Sequence, residues 1–286
     1  MFSILILSLN EETNLAACLD SLSWCDDVVL LDSFSTDRTA EIARLRGVRV
    51  FQRRFDDFGS QRNHALKEIP FRHRWVFHLD ADERFNDSLR CECERMIALN
   101  DHSAYAVPNR IFFLGRWIRH CTQYPYPQVR LAKIGEVSFA KWGHGQREDN
   151  AIRGIGCIET PYDHFNFSKG LSDWVRKHDQ YSNDEARLAI SLRTQPFEWR
   201  NIFSRDNLAT KRALKQLQCR MPFRWVLKFG FLYVVRRGFL DAYPGFIYCV
   251  LQAFYDFLIC LKIREIESET RIREAISHRK IASAIN

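Results

Sequence analysis

The stretch "RWVFHLDADERF", residues 74 to 85, runs from an apolar segment straight into three carboxylates, Asp80, Asp82 and Glu83. Crowded carboxylates repel one another and persist where a metal ion, a cationic partner or a polar ligand compensates them. Upstream the same rhythm repeats. "SILILSL" reads as a buried strand, and Leu15, Cys18, Leu19 and Leu22 follow at helical spacing. "DVVLLD" gives a second strand, then the turn "SFSTD" and a helix through Leu45; "VRVFQ" gives a third, "FGSQRNHALKEI" a helix, and "RWVFHLD" the fourth strand. This βαβαβ order with short connections predicts an α/β fold, a largely parallel sheet covered by helices on both faces.

In such sheets the ligand crevice lies beyond the carboxyl ends of the strands. Asn10 and Glu11, Asp32, and Asp80 and Asp82 each follow a strand end, so the sheet gathers them on one rim. Taken singly, each is also an ordinary turn or cap residue. Three such coincidences point to a site. If the chain stays extended past Asp80, alternation puts Asp80 and Asp82 on one side, with Ala81 opposite and leaving room for a ligand.

With 286 residues, 46% hydrophobic and 27% charged, the chain is long enough for one large domain or one domain with an appendage. Nine cysteines without a C-x-x-C pair, and no signal peptide in "MFSILILSLNEE", predict reduced thiols in a cytoplasm. The net charge of +7 calls for an anionic partner, with nucleic acid, a membrane surface and nucleotide phosphates as candidates. Nucleic acid is the weakest, because no helix-turn-helix, RNP-like strand or zinc-finger spacing is present.

Residues 104 to 161 are irregular, with strand-like pieces such as "YAVPNRIFF" and "QVRLAKI", and suit the far wall of a cleft. "SKGLSDWVRKHDQYSNDEARLAIS" reads as an amphipathic helix with Leu171, Trp174, Val175, His178 and Tyr181 on one face. Beyond Met221 the composition turns aromatic and aliphatic, with Arg236, Arg237 and Lys262 interspersed. Its longest apolar stretch, Gly245 to Leu261, falls short of the roughly 20 residues that span a bilayer. Amphipathic helices lying in the membrane interface fit that composition, as does a cap or oligomer contact. The expected division is a main domain over 1–220, itself split near residue 100, and a helical extension over 221–286.

No G-x-x-x-x-G-K-S/T loop and no G-x-G-x-x-G turn occurs, so phosphate binding, if present, must use a metal and side chains. Asp80 and Asp82 suit a hard divalent ion that shares its remaining positions with substrate phosphates. "SLNEE", "LLDSFSTDRT", "FGSQRNHAL" and the D-x-D motif in "LDADE", in this order, resemble the family 2 glycosyltransferases. The resemblance implies the glycosyltransferase type A fold, a Rossmann-like and mostly parallel sheet. It places Leu9, Asn10 and Glu11 in the nucleotide pocket, Asp32 on the base, Arg62 and Asn63 near base or diphosphate, and Asp80 and Ala81 at the ribose or sugar. Asp82 would bind Mg²⁺ or Mn²⁺, with His164 a third metal ligand, a diphosphate contact or simply structural. Glu83 is implied to be supportive rather than catalytic.

Later segments, "KWGHGQRE", "YDHFNFSKGLSDWVRKHDQYS" and "RRGFLDAYPGFIY", are similar to bacterial lipopolysaccharide core glucosyltransferases. That likeness implies a general base at Glu148 or Asp149, with Glu148 preferred, and "GQRE" departs from relatives that carry a histidine directly before the glutamate. It further implies a UDP-sugar donor, a saccharide or glycolipid acceptor, and a peripheral position on the cytoplasmic face of the inner membrane. Rival readings are a nucleotidyltransferase using Asp80 and Asp82 as a metal pair, and a non-catalytic membrane-associated nucleotide-sugar-binding scaffold.

Overall fold

The structure, a computed structural model, describes residues 1–285 apart from 123, 144, 198, 204–206 and 222. It leaves out the side chains of 201, 203, 207–209, 211, 212 and 273–285. His144 of the "KWGHGQRE" segment therefore lies outside the described residues.

The first half follows the sequence pattern closely: β1 (Ser3–Ser8), α1 (Glu12–Asp20), β2 (Val28–Asp32), α2 (Thr39–Leu45), β3 (Arg49–Gln52), α3 (Phe58–Glu68) and β4 (Trp75–Asp80). β4 and β2 flank β1 in parallel, and β3 extends the sheet beyond β2. The register aligns Ser8 with Asp32 and Leu7 with Asp80. The three strands therefore end level, which sets the polar residues after them side by side. Fully buried Ile4, Leu5, Ile6, Leu30, Leu31 and Phe77 hold the centre of this sheet between two helical layers. Asp57 starts α3 by accepting the Ser60 N–H at 2.9 Å.

After β4 the chain turns at once instead of staying extended. β5 (Glu83–Arg84) and α4 (Asp87–Leu99) follow, then β6 (Ala104–Val107), β7 (Asn109–Phe113) and β8 (Arg116–Trp117). β9 (Gln128–Lys133) inserts antiparallel between β4 and β6, completing a seven-stranded sheet with β12 (Ile155–Cys157) at its edge. β10 (Val137–Trp142) and β11 (Gly145–Ala151) form a hairpin against α3, and β13 (Tyr162–His164) joins β5 to β7 in a small second sheet.

The last third is helical: α5 (Gly170–Thr194), α6 (Asn207–Arg220), α7 (Arg224–Gly230), a π-helical turn over Phe231–Val235, a 3-10 turn over Gly238–Asp241, and α8 (Ala242–Ile285). α8 is continuous for 44 residues, with Pro244 tolerated in its first turn. The expected short apolar stretch is therefore part of a longer element, and Gly238–Ile272 meets the length and composition of a membrane-crossing helix. Its packing is that of a domain helix. Tyr248 and Cys249 join Phe113, Ile118 and Leu232 in one apolar cluster, and Ile259 and Ile263 join Ala186, Ala189 and Leu192 of α5 in another. Asp256 pairs with buried Arg224 at 3.2 Å. The helical segments from Arg224 to Ile263 thus share cores with the elements before them. Phe246, Val250, Phe254 and Leu261 on α8 remain exposed, so the helix as far as Leu261 is apolar on both faces and not amphipathic.

Candidate active site

At the level ends of β1, β2 and β4 the chain collects its charges. Asp80 closes β4, and its Oδ2 accepts from Nη1 and Nη2 of Arg130 on β9, both at 3.1 Å. Arg130 also donates Nη2 to Glu83 Oε1 at 2.6 Å and Nε to the Tyr162 hydroxyl at 3.0 Å. Only 3% of Arg130 is exposed, and none of Glu83. Glu83 Oε2 in turn accepts the Asp80 N–H at 2.8 Å, which fixes the turn between them. Arg62 of α3 stands 4.0 Å from Asp80 Oδ1 and faces the Phe139 ring.

These contacts set the protonation states. Burial raises Asp80, but Arg130 and Arg62 outweigh it and hold the carboxyl below the usual range. Burial pushes Glu83 up, with Arg130 opposing. Burial, reinforced by Arg130, lowers Arg62 to about 10. His78 on β4 is buried among these guanidiniums with both ring nitrogens unpartnered, and burial drives it toward the neutral form.

Asp82 addresses a different neighbour because the chain turns after Asp80. The antiparallel pairing of β5 with β13 sets His164 opposite Glu83, and His164 Nε2 lies 3.5 Å from Asp82 Oδ2. Burial works against both charges, but each outweighs it for the other. Asp82 falls well below the ordinary carboxylate range, and His164 rises to about 9. His164 Nδ1 is buried without a hydrogen-bond partner. A carboxylate beside an imidazole nitrogen fits part of the shell of a hard divalent ion. Among the described residues no cluster of three or more His, Cys, Asp or Glu side chains is set to hold an ion. Substrate oxygens and water would have to complete it.

The opposing cations, Lys169 and Lys177, were not among the expected site residues. Lys169, just before α5, bonds the Glu11 carboxylate and the Asn10 carbonyl. Lys177 on α5 pairs with Asp173 at 3.2 Å; burial lowers its pKa, but Glu11, Asp173 and Asp82 raise it further. Burial raises Glu11 beyond what Lys169 and Asn14 offset.

Other expected site residues are engaged within the fold. Asp32 is fully buried and accepts from Ser8 Oγ, from the Ser35 N–H and hydroxyl, and from Gln52. Asn10, at φ 55°, accepts the Thr36 N–H at 2.8 Å and so ties the β1 turn to the β2 turn. Asn63 grips β10, its amide donating to the Phe139 carbonyl at 2.7 Å and accepting the Phe139 N–H at 2.9 Å. Ala81 packs into the core cluster and leaves no room for a ligand there, whereas Leu9 is exposed at the rim.

Residues 3–144 match the profile described as Glycosyl transferase family 2. That match places a glycosyl transferase family 2 domain over the first half of the chain. An uncharacterized glycosyltransferase of Rickettsia typhi is 25% identical to this transferase over 281 residues, covering 94% of this chain and 88% of that one. The lipopolysaccharide core biosynthesis glycosyltransferase LpsC of Rhizobium meliloti is 23% identical, covering 96% and 97%. Residues 1–349 of S. aureus TarS in complex with UDP-GlcNAc share the fold at a TM-score of 0.50 and 15% identity, covering 94% of this chain and 91% of that one. The fold is of the glycosyltransferase A type.

In this glycosyltransferase Glu148 and Asp149 sit on β11. Glu148 lies in register with Phe139, and cross-strand partners share a face. Gln146, two residues earlier on that face, reaches the Phe58 carbonyl and Arg62. Glu148 therefore shares the hairpin face turned to α3, while Asp149, left without a cross-strand partner at the register shift beside it, is exposed. No described hydrogen bond or ion pair occupies the Glu148 carboxylate.

Proposed function

We propose that this glycosyltransferase moves a hexosyl group from a UDP-linked sugar such as UDP-glucose to a cell-envelope saccharide such as lipopolysaccharide core, with inversion and with Mg²⁺ or Mn²⁺. One observation carries the reading: Asp82 and His164 stand together at the strand ends, faced by Lys177. A nucleoside diphosphate leaving with growing negative charge needs an ion on one side and fixed cations on the other.

A divalent ion on Asp82 and His164 would act as a Lewis acid for the departing diphosphate. Asp80, kept ionised by Arg130 and Arg62, is poised to accept hydrogen bonds from ribose or sugar hydroxyls. Asn10 and Glu11, anchored by Lys169, form the rim beside it. Glu148 takes the acceptor hydroxyl's proton as that oxygen attacks the anomeric carbon from the face opposite the leaving group. One displacement then suffices, without a covalent sugar intermediate.

The envelope acceptor is supported by the likeness to LpsC along nearly the whole chain and by the C-terminal surface. There Phe231, Val234, Val235, Phe239, Leu240 and Tyr243 are exposed together. Such a patch suits a peripheral enzyme on the cytoplasmic face of the inner membrane, where a lipid-borne acceptor is in reach.

Calorimetric titration of UDP and UDP-glucose, with and without Mn²⁺, into wild type and Asp82→Ala tests the donor site. Metal-dependent binding that vanishes in the variant is the expected result. Equal binding by both proteins would remove Asp82 from the metal site. No binding under any condition would overturn the UDP donor.

A further inference from the structure

Beside the exposed apolar patch lies an open cleft of about 580 Å³, separate from the carboxylate site. Arg119, His120, Arg236 and Arg237 supply its polar wall, with Tyr124 and Val235 among the rest. No carboxylate lines it, and among the described residues none of the three arginines makes an ion pair. Elsewhere the chain pairs its arginines readily, as at Arg49, Arg53 and Arg110. Three guanidiniums without a described counter-charge repel one another unless an anion lies between them.

The wall is built to hold these groups in place. Buried Asp241 accepts the backbone N–H groups of Arg119, His120 and Cys121 at 3.1, 2.9 and 3.2 Å. It also binds His120 Nδ1 at 2.8 Å, which leaves Nε2 as that ring's free nitrogen. Arg236 donates Nη2 to the Tyr124 carbonyl at 3.2 Å, while its Nε is buried without a partner. Arg237 adopts φ 58°, a left-handed conformation costly for a residue with a Cβ and retained where the surroundings impose it. Gly238 allows this turn to press inward, since a Cβ there would meet the Leu232 carbonyl at 2.8 Å.

We propose that this cleft seats the phosphate of an anionic lipid headgroup, so that the enzyme selects anionic bilayers and docks in one orientation. Guanidinium matches phosphate in charge and in hydrogen-bond geometry. The apolar neighbours Val234, Val235, Phe239 and Tyr243 enter the acyl boundary around it. The assignment rests on the membrane-facing reading of the C-terminal surface and adds the lipid class.

The test is sedimentation of the full chain with phosphatidylcholine vesicles, with and without phosphatidylglycerol. Wild type is compared with Arg119→Gln/Arg237→Gln, which removes no described side-chain hydrogen bond, and with Phe239→Ser/Tyr243→Ser. At about a fivefold contribution per arginine near the surface, the double arginine variant loses roughly twenty- to thirty-fold in affinity for the anionic vesicles. Unchanged thermal unfolding of that variant confirms that the loss is not misfolding. If it binds like wild type while the serine variant does not, the membrane reading stands and the headgroup site falls. If wild type binds neither vesicle, both fall. Should inorganic phosphate protect wild type but not the arginine variant from heat at concentrations that leave vesicle binding intact, the cleft takes free phosphate and the lipid assignment is overturned.

Discussion

The two charged regions of this protein are organised in opposite ways. At the ends of β1, β2 and β4, Asp80 and Glu83 answer Arg130, Glu11 answers Lys169, and Asp82 answers His164. On the surface formed by residues 223–262, Arg236 and Arg237 line an open cleft without a paired acid among the described residues, beside apolar side chains without a cover. The first region is electrically complete before substrate arrives, so its side chains are held for chemistry and a ligand exchanges one set of contacts for another. The second is incomplete in isolation, so its partner must bring both negative charge and apolar volume.

Substitutions break this contrast if it is wrong. Arg130→Met strands the buried Glu83 and leaves half-buried Asp80 without its main partner, and should lower the unfolding free energy by about 3–5 kcal/mol in urea titration. Adding Glu83→Gln should return part of that, and a loss near zero would mean the rim charges are not mutually supporting. Asp82→Ala should cost about 10³-fold in kcat/KM, since metal stabilisation of the leaving group is worth several kcal/mol. Its urea midpoint should move less than that of Arg130→Met. Glu148→Gln should lower kcat by about 10²-fold with UDP affinity retained. Asp149→Asn should cost less, and the reverse ranking would move the base by one residue.

Asn63→Ala removes two backbone-directed hydrogen bonds and should cost about 2 kcal/mol. Hydrogen exchange should then speed up in β10 while β4 stays protected. Arg237→Gln, with no side-chain partner among the described residues to lose, should change stability by no more than about 0.5 kcal/mol. A large loss there would show that the outer arginines are structural after all.

Most of the sheet and the position of the rim were legible because both depend on local pattern. Apolar runs of strand length alternate with helical periodicity through residue 80, and each rim residue directly follows such a run. The uses to which those residues are put were not legible. Asp32 and Asn63 have hydrogen-bond partners that only the folded chain brings near, and Ala81 turns inward because the chain does not remain extended. Arg130 comes from a strand fifty residues downstream of Asp80. Its one sequence signal is an arginine between Val129 and Leu131 in a strand whose every position after Gln128 is buried. On α5, Leu171 and Val175 belong to the apolar face by spacing yet stay exposed, because α8 covers that helix further along, at Ala186 and Ala189.

The seam between α5 and α8 also fixes a height. α5 carries Lys177 to the reaction centre, α8 carries the outward stripe, and Ile259, Ile263 and the Lys262–Asp179 pair at 2.7 Å lock the two helices side by side. A 44-residue helix is a rod of about 66 Å that does not bend freely. With the stripe laid on a bilayer, the mouth of the cleft stands at one elevation and tilt. The enzyme would then gauge its acceptor as a ruler does, accepting a glycan whose free end reaches that level and passing over one a sugar shorter or longer.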